Sequence, residues 1–556
     1  MKKKLITVCV ALLILALLSA CNSQESSSKK EMSGYIHENG SAEVILADEK
    51  TASYSGDYYS VETSQNRKNI ALLGKNGDLS IAQGTETQCI DQEVQAVKLL
   101  GNGLLLYSKL KYNGRLYAPI DTYTFDVVMN GQEIFELYDY ATGQITELGT
   151  DLKYTSDIST RNILFAAPSS NGQYILKLFS VGKETPVVLL QSENALSPLG
   201  ISSDGKIYVW AEEHDSQYYI YLYANNETFE LFSCADVKDY NVNVSFAANN
   251  KHILVACTGS DVLATWTDKT GVSLYNLPSP LHSCDIYTTS GLLSQYQKDA
   301  PATIYVLADN LEDDGITSSI YAISNTGRQT KIANKILDFE IRGKSLYYTD
   351  STGNLYYANL SGNVIKNEAQ VDTAICDFSV SPNGNKVAYI KHSTNENRAL
   401  LFISEKASTP FLINDNVYDR NIMGYHSMVA KFSLNSNKLY YFSNPVEISD
   451  STEYDSWIGS NYLAELMQFN ISENDSTQIA ENAFTELISE NSDGFCGDGG
   501  IWYCKYKTTS DEKHICDLVF WNGKESKVIA IDIIKCAYRL QAAERKIDVK
   551  VRNMGY

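Results

Sequence analysis

The chain has 556 residues and a formal charge of −21, with 67 acidic and 46 basic side chains. This acidic balance disfavours nucleic-acid binding, which needs a basic footprint, and favours a cationic peptide or a basic partner surface, unless the charge serves solubility alone. The 38 tyrosines and 10 prolines, among many Val, Ile and Thr residues, are typical of a protein built from β-strands.

The N-terminal segment has the pattern of an export signal. Lys2–Lys4 is basic, Leu5–Leu18 is apolar but short for a membrane-spanning helix, and small residues precede Cys21. The run Leu18-Ser-Ala-Cys21 resembles the lipobox of bacterial lipoproteins, which implies cleavage before Cys21 and fatty acylation of this residue, palmitate included. The alternative is an ordinary signal peptide with a chance Cys. We therefore predict a signal peptide over residues 1–20 and a lipid anchor at Cys21, in a bacterial cell membrane and facing outside the cytoplasm.

A flexible tether is predicted next, over residues 21–50. Its first part, Asn22–Gly34, is rich in Ser, Lys and Glu and too poor in apolar residues to bury a core. The rest of the chain has no further apolar run long enough to span a membrane, so we expect it to lie outside the bilayer.

A short pattern recurs through the remaining chain, about every forty residues. Each copy consists of a strand, a polar turn, a Lys and a second strand, and the copies begin at Ile201, Phe246, Phe339, Val380 and Phe432. A strand unit copied at this period indicates an array, and the array typical of four-stranded units is a β-propeller.

About ten strand-rich units are predicted. They are Ser55–Gln83, Val94–Leu148, Ser156–Leu190, Pro198–Phe232, Asn243–Leu277, Cys284–Ala333, Ile336–Ala369, Ile375–Ile413, Met428–Ala480 and Glu486–Ala530. The eighth unit is the clearest, with four short strands predicted at Asp377–Ser381, Lys386–Ile390, Ala399–Ile403 and Phe411–Ile413. Pro382-Asn-Gly384 forms the first turn, because Pro fixes one φ angle and Asn-Gly tolerates positive φ.

Two of the turns carry a family resemblance. Ser381-Pro-Asn-Gly-Asn-Lys-Val-Ala-Tyr389 and Ser202-Ser-Asp-Gly-Lys-Ile-Tyr208 resemble the repeat of TolB-like propellers and of the propeller domains of prolyl-oligopeptidase-type enzymes. The resemblance implies an all-β propeller of four-stranded antiparallel blades, and it implies no activity. Ten units could include half-blades, form two rings or leave a separate sheet domain. We predict one ring of seven or eight blades with irregular insertions over residues 51–540, and a closing strand or tail over 541–556.

Insertions between blade strands often carry binding, and three are predicted, at Lys111–Asn130, Asn310–Ser319 and Pro445–Tyr462. The last contains Trp457 in a polar, acidic setting with Asp450, Glu453 and Asp455. A large ring has little reason to lie in such a loop unless it contacts a partner or plugs the loop from below. We therefore predict a binding site at these four residues.

The sequence offers little support for chemistry. No Gly-x-Ser-x-Gly elbow is present, so no catalytic residue is predicted, and no cofactor or metal site either. Cys496, Cys504, His514 and Cys516 form a loose cluster in sequence, for which core cysteines or a disulfide are favoured over zinc.

The predicted function is a non-catalytic, membrane-anchored binding or scaffold lipoprotein that engages a protein, peptide or glycan through a propeller face, and no nucleic acid. The alternative is a propeller enzyme, a lyase or hydrolase with a carboxylate and Tyr site in the central channel; a sensor or accessory subunit is a third possibility. An enzyme predicts clustered titratable groups with perturbed pKa values, whereas a binding module predicts a flatter, aromatic-rich face.

Overall fold

The computed structural model describes the chain from residue 34 to residue 534, apart from residues 37–39, 47–50, 65–67, 102, 120–126, 128–129, 158, 160, 170, 216, 235–241, 248–249, 251, 258–261, 269–270, 277–280, 289–290, 293–295, 298–302, 313–314, 325–327, 394–397, 423–424, 449–461, 486–495, 497–499 and 511–512. The predicted signal peptide, Cys21 and the predicted tail over 541–556 lie outside the described residues. No helix in the described part of the chain is long and apolar enough to cross a membrane.

Strands account for almost all regular structure of the described residues, which form two compact units. The larger unit contains the described residues between Ser33 and His392, together with Phe402–Leu412. The smaller unit contains those of Ser393–Leu401 and Ile413–Asp532.

The larger unit begins with sheets 1 to 6, in which strands that follow one another in the chain mostly pair antiparallel. Sheet 1 comprises β1 (Gly34–Ile36), β2 (Ala42–Ile45) and β3 (Thr51–Tyr54); sheet 2 comprises β4 (Tyr58–Thr63), β5 (Ile70–Gly74), β6 (Leu79–Gln83) and β7 (Glu86–Asp91); sheet 3 comprises β8 (Ala96–Leu100), β9 (Leu104–Tyr112), β10 (Arg115–Tyr117), β11 (Gln132–Asp139) and β12 (Ile145–Thr150). Sheet 4 comprises β13 (Lys153–Ser156), β14 (Asn162–Pro168), β15 (Tyr174–Ser180) and β16 (Val187–Ser192); sheet 5 comprises β17 (Leu196–Ile201), β18 (Tyr208–His214), β19 (Gln217–Ala224) and β20 (Glu227–Cys234); sheet 6 comprises β21 (Val242–Ala247), β22 (His252–Cys257), β23 (Val262–Thr267) and β24 (Gly271–Asn276).

Sheets 7 and 8 share one long strand. Their strands are β25 (Leu281–Thr288), β26 (Gly291–Leu292), β28 (Thr303–Glu312), β29 (Gly315–Ser324), β30 (Gln329–Arg342), β31 (Ser345–Asp350), β32 (Leu355–Ser361) and β33 (Val364–Asp372), while β27 (Tyr296–Gln297) pairs in parallel with β21 of sheet 6. The first half of β30 pairs with β29, and its second half, from Ile336, pairs with β31. Sheet 7 therefore ends, and sheet 8 begins, on the same strand.

Sheet 9 of the larger unit begins with β34 (Ile375–Val380) paired to β35 (Lys386–His392). The next strands, β36 (Arg398–Glu405) and β37 (Phe411–Ile422), have residues in both units. The smaller unit continues with antiparallel strands, namely β38 (Tyr425–Met428), β39 (Lys431–Phe432), β40 (Lys438–Glu447), β41 (Tyr462–Asn470), β42 (Asp475–Phe484), β43 (Ile501–Ser510), β44 (Lys513–Trp521) and β45 (Ser526–Ile534).

The recurring polar turn has one hydrogen-bond pattern wherever the motif is complete. In sheet 9 the Ser381 hydroxyl donates to Asn383 Oδ1 (2.9 Å) and accepts from the Lys386 N–H (3.0 Å). The Gly384 N–H donates to the Ser381 carbonyl at 2.7 Å, with φ of +71° at Gly384. The turns that begin at Ser202 and Ser433 have the same bonds from the hydroxyl. The Ser and the Asn or Asp therefore fix the hairpin, and the left-handed residue is Gly205 or Gly384 in the first two turns and Ser436, with φ of +62°, in the third.

Each sheet of the larger unit packs against the next through a buried apolar cluster. Between sheets 8 and 9, for example, Tyr347 and Leu355 pack with Val380 and Val387. Complete burial of a side chain of this size contributes about 2 kcal/mol. Both faces of an inner sheet are covered in this way, which is why strands such as β14 and β31 are buried over almost their whole length.

The first strands of consecutive sheets also lie beside one another. Contacts join β4 to β8, β13 to β17, β17 to β21, β21 to β25 and β30 to β34. One such contact is polar, since the Lys153 ammonium donates to the Ser197 hydroxyl at 2.9 Å. Side chains on the first strands of two sheets can therefore form one surface.

The predicted all-β class and the four-stranded antiparallel units are confirmed. In the unit predicted at Ile375–Ile413, strands β34 to β37 lie within a few residues of the predicted ones. Three details differ. Sheet 1 begins at Gly34, inside the predicted tether over 21–50, because residues after Gly34 alternate apolar and polar well enough to pair. Asn310–Ser319 is no separate insertion, because β28 and β29 continue through it as a long hairpin. Sheet 3 has a fifth strand, β10, inside the predicted insertion Lys111–Asn130.

Candidate functional site

The predicted binding residues Trp457, Asp450, Glu453 and Asp455 lie outside the described residues, as does Cys21. These assignments stay predictions. The described residues offer a different cluster of titratable groups, on the first strands of sheets 8 and 9.

The cluster begins with a repeated local structure. The first strand of sheet 8 contains Ile336-Leu-Asp-Phe339, and the first strand of sheet 9 contains Ile375-Cys-Asp-Phe378. In both, the pairing register shifts between the Ile and the Asp. Asp338 Oδ1 and Asp377 Oδ1 each accept a hydrogen bond of 2.7 Å from the N–H of the following Phe. Each Asp thus satisfies the backbone donor that the bulge takes out of the ladder.

Glu340 joins the two first strands. Its Oε1 lies 2.9 Å from Arg342 Nη2 on the same strand, and its Oε2 accepts a 2.8 Å hydrogen bond from the Val380 N–H on β34. The side chains of Arg342 and Glu340 are 13% and 19% exposed. Because the pair is largely removed from water, its interaction is stronger than that of a surface pair.

Burial sets the protonation of these carboxyls. Desolvation raises the pKa of Glu340 to about 7, although the Arg342 guanidinium and the Val380 N–H oppose the shift. Desolvation also raises the pKa of Asp338. Asp338 is nevertheless exposed to solvent. Exposed carboxylates that lie close together attract cations.

The sequence reasoning named none of these residues. The repeated Ile-x-Asp-Phe motif is a signal that could have found Asp338 and Asp377, once the units were aligned. Glu340 carries no such signal, because Ser379 occupies the equivalent position in sheet 9.

A second kind of polar cluster, seen twice, ties the last strand of one sheet to the second strand of the next. In one copy Asp372 accepts from Tyr389 Oη at 2.7 Å and pairs with Lys391 at 2.6 Å. Burial opposes ionisation of Asp372, but the bonds from Lys391 and Tyr389 outweigh it and lower its pKa. The polar groups of Asp372, Tyr389 and Lys391 therefore contact one another and join sheets 8 and 9.

The other copy is built from Asp91, Tyr107 and Lys109, with distances of 2.9 Å and 2.8 Å from Asp91 to the Tyr and the Lys. It adds a second carboxylate, Glu136, at 3.3 Å from Lys109. Burial raises the pKa of Glu136, and the neighbouring Asp91 raises it further. Lys109 contacts both carboxylates, and the raised pKa of Glu136 reduces the negative charge beside it, so this copy also serves mainly to hold sheets 2 and 3 together.

Cys496, Cys504 and Cys516 lie in the buried core of the smaller unit and form no disulfide there. Of the two interpretations that the sequence favours, core cysteines and a disulfide, the structure agrees with core cysteines. His514 is also buried, with Nδ1 at 3.1 Å from the Thr509 hydroxyl. Among the described residues no group of three or more His, Cys, Asp or Glu side chains could hold a metal ion.

No protein-family model and no curated protein sequence matches the chain. Among solved structures, the tricorn protease is 12% identical over 94% of this chain and 66% of its own, with a TM-score of 0.26. Dipeptidyl peptidase 4 of Porphyromonas gingivalis is 11% identical over 83% and 64%, with a TM-score of 0.35. TolB from Acinetobacter baumannii is 17% identical over 55% and 78%, with a TM-score of 0.20. At these values the likenesses carry no argument, and the all-β architecture is established by the sheets themselves.

Proposed function

We propose that the protein is a lipid-anchored binding or scaffold protein on the outer side of a bacterial membrane, which engages its partner through one face of a β-propeller. The observation that supports this most is the adjacency of first strands, which brings Asp338, Glu340 and Asp377 of two sheets together. In a propeller the first strands line the centre of the ring. An acidic surface there, on a chain of charge −21, suits a cationic peptide or a basic protein surface better than a glycan.

A lyase or hydrolase is the second candidate, favoured by the pKa of about 7 at Glu340, which suits proton transfer near neutral pH. Binding is the better supported of the two. Both carboxylate oxygens of Glu340 already have protein partners, and Asp338 and Asp377 each accept from their own backbone. A general acid or base must instead reach a substrate atom.

The binding proposal is tested with a fluorescent hexa-lysine peptide and the protein without residues 1–20. We expect saturable binding that weakens as salt rises, and weaker binding by the Asp338→Asn, Asp377→Asn double variant. Glu405→Gln is the matched control, because this carboxylate is 62% exposed on a different strand. The proposal fails if the peptide does not bind, or if the double variant and the control bind it equally. Cleavage of the peptide, followed by mass spectrometry, would favour the enzyme instead.

The anchor is tested separately in cells that process lipoproteins. Cys21→Ala removes the thiol that the lipobox resemblance marks for acylation, so we expect the protein to leave the membrane fraction or to keep its signal peptide. Labelling with an alkyne fatty acid measures the acyl chain directly. The assignment would be refuted if Cys21→Ala stays in the membrane fraction as the wild type does, or if the membrane-bound wild type takes up no labelled fatty acid.

A further inference from the structure

The aromatic face of sheet 5 forms a second candidate binding surface, away from the acidic cluster. Strand pairing sets its layout, since residues on one face alternate along each strand. Tyr221 on β19 lies between Trp210 on β18 and Glu230 on β20. The row above it is Tyr208, Tyr223 and Thr228, and the row below is Glu212, Tyr219 and Ser233.

The rings on this face stack across the strands. Tyr208 and Tyr223 have centroids 4.7 Å apart at 16°, and Trp210 and Tyr221 have centroids 5.4 Å apart at 21°. One face of Tyr221 is therefore covered by the indole of Trp210. The other face looks toward the last strand, where Glu230 is the direct cross-strand neighbour of Tyr221.

Exposure increases outward along the same face. Trp210 is 5% exposed and packs in the cluster shared with sheet 4, Tyr221 is half-buried, and Glu230 is exposed. The neighbouring sheet shows the same gradient, because Val187 of its last strand, which pairs with Leu178 on the face toward sheet 5, is 56% exposed. Leu189 and Leu190 of this strand pack into the cluster between the sheets, so we infer that sheets 4 and 5 separate only at the Val187 end, where they leave a groove.

The chemistry of this groove suits a positive, planar group. Both Glu230 and Glu212 lie near Tyr221, and after desolvation their fields are the main causes that raise the pKa of its hydroxyl. A ring face next to a carboxylate binds a guanidinium by stacking and by charge together. The exposed Val187 can cover the aliphatic part of such a side chain.

A peptide fits the groove better than a small free cation. A peptide side chain has an aliphatic part that can pack on the exposed Val187, and a ring-stacking head group that can pack on the half-buried Tyr221, whereas a small cation has no aliphatic part.

We propose that the groove between β16 and β20 binds an arginine side chain of an extended basic peptide, with the guanidinium between the ring of Tyr221 and the carboxylate of Glu230. This adds a second contact to the proposed binding function and goes beyond it, because it predicts a preference for Arg over Lys. The ammonium of Lys is a compact, strongly hydrated charge that stacks poorly on an aromatic ring.

The test compares hexa-arginine with hexa-lysine by titration calorimetry. Wild type should bind hexa-arginine more tightly by about three- to fivefold, the range expected for a cation–π contact. Tyr221→Leu should abolish this preference and leave hexa-lysine binding unchanged, and Glu230→Gln should weaken hexa-arginine selectively. Glu147→Gln, an exposed carboxylate on β12, and Tyr275→Leu, a half-buried ring on β24, are the matched controls.

The outcomes separate this inference from the proposed function. If both peptides bind but Tyr221→Leu keeps the preference for Arg, or the wild type has no such preference, the proposal for the groove is wrong. The proposed binding function at the acidic cluster is then still supported. If neither peptide binds, both proposals fail. Circular dichroism and thermal melts of each variant show whether sheet 5 is intact, and Tyr221→Phe, which keeps the ring, should retain the preference.

Discussion

Glu340→Gln is expected to make the protein more stable than wild type above pH 7, and the difference should vanish near pH 4. The pKa of Glu340 is raised by burial to about 7 in the fold, from 4.5 for a free Glu. The folded state therefore holds a proton that the unfolded state releases between these pH values, and wild-type stability falls as pH rises through this window. A shift of this size corresponds to about 3 kcal/mol, all of it present above pH 7. The neutral Gln does not incur this loss and can still accept from Val380.

The measurement is urea unfolding at a series of pH values from 4 to 8.5, with the difference between variant and wild type as the readout. This difference cancels groups that titrate alike in both proteins. Glu405→Gln is the control, because its carboxylate is 62% exposed and lies on a different strand. A difference for Glu340→Gln that does not grow between pH 4.5 and 7 would contradict the buried, protonated Glu340.

Gly384→Ala is expected to destabilise sheet 9 by about 3 kcal/mol, from two causes that add. Gly384 has φ of +71°, which costs any residue with a Cβ. An added Cβ would also lie 2.5 Å from the carbonyl oxygen of Arg342 in sheet 8. That oxygen belongs to a paired strand, so it cannot move aside without disturbing the ladder around Glu340.

Gly343→Ala separates these two causes. Gly343 has φ of +59°, and nothing lies within 4 Å of an added Cβ. We expect it to lose about 1 kcal/mol, the conformational cost alone. Thermal melts and urea midpoints of both variants give the comparison, and equal losses would show that the turn of sheet 9 does not press on sheet 8.

The turn motif explains why much of the fold was predictable. Ser381, Asn383, Gly384 and Lys386 act within six residues, so their pattern can be read from a single copy. The strands around them followed from alternation and from the apolar runs that two covered faces require. The start at Gly34 was missed because β1 and β2 are short and flanked by polar residues.

The candidate sites were not predictable in the same way. Glu340 depends on Val380, forty positions away, and Tyr221 depends on the strand registers that place Trp210 and Glu230 on either side. A single sequence contains the residues but not the registers. The segment from Gln217 to Tyr223 is rich in tyrosine, but the sequence does not show that Glu230 lies beside Tyr221.

The double use of β30 has a mechanical consequence. Where the connections between other adjacent sheets of the larger unit are described, as at residues 55–57 and 151–152, they are not strands, whereas sheets 7 and 8 are joined through fourteen residues of continuous strand. A displacement of Arg342 or Glu340 would be transmitted along the strand to Gln329. We therefore expect sheets 7 and 8 to move together, and relative motion of neighbouring sheets to occur between other pairs.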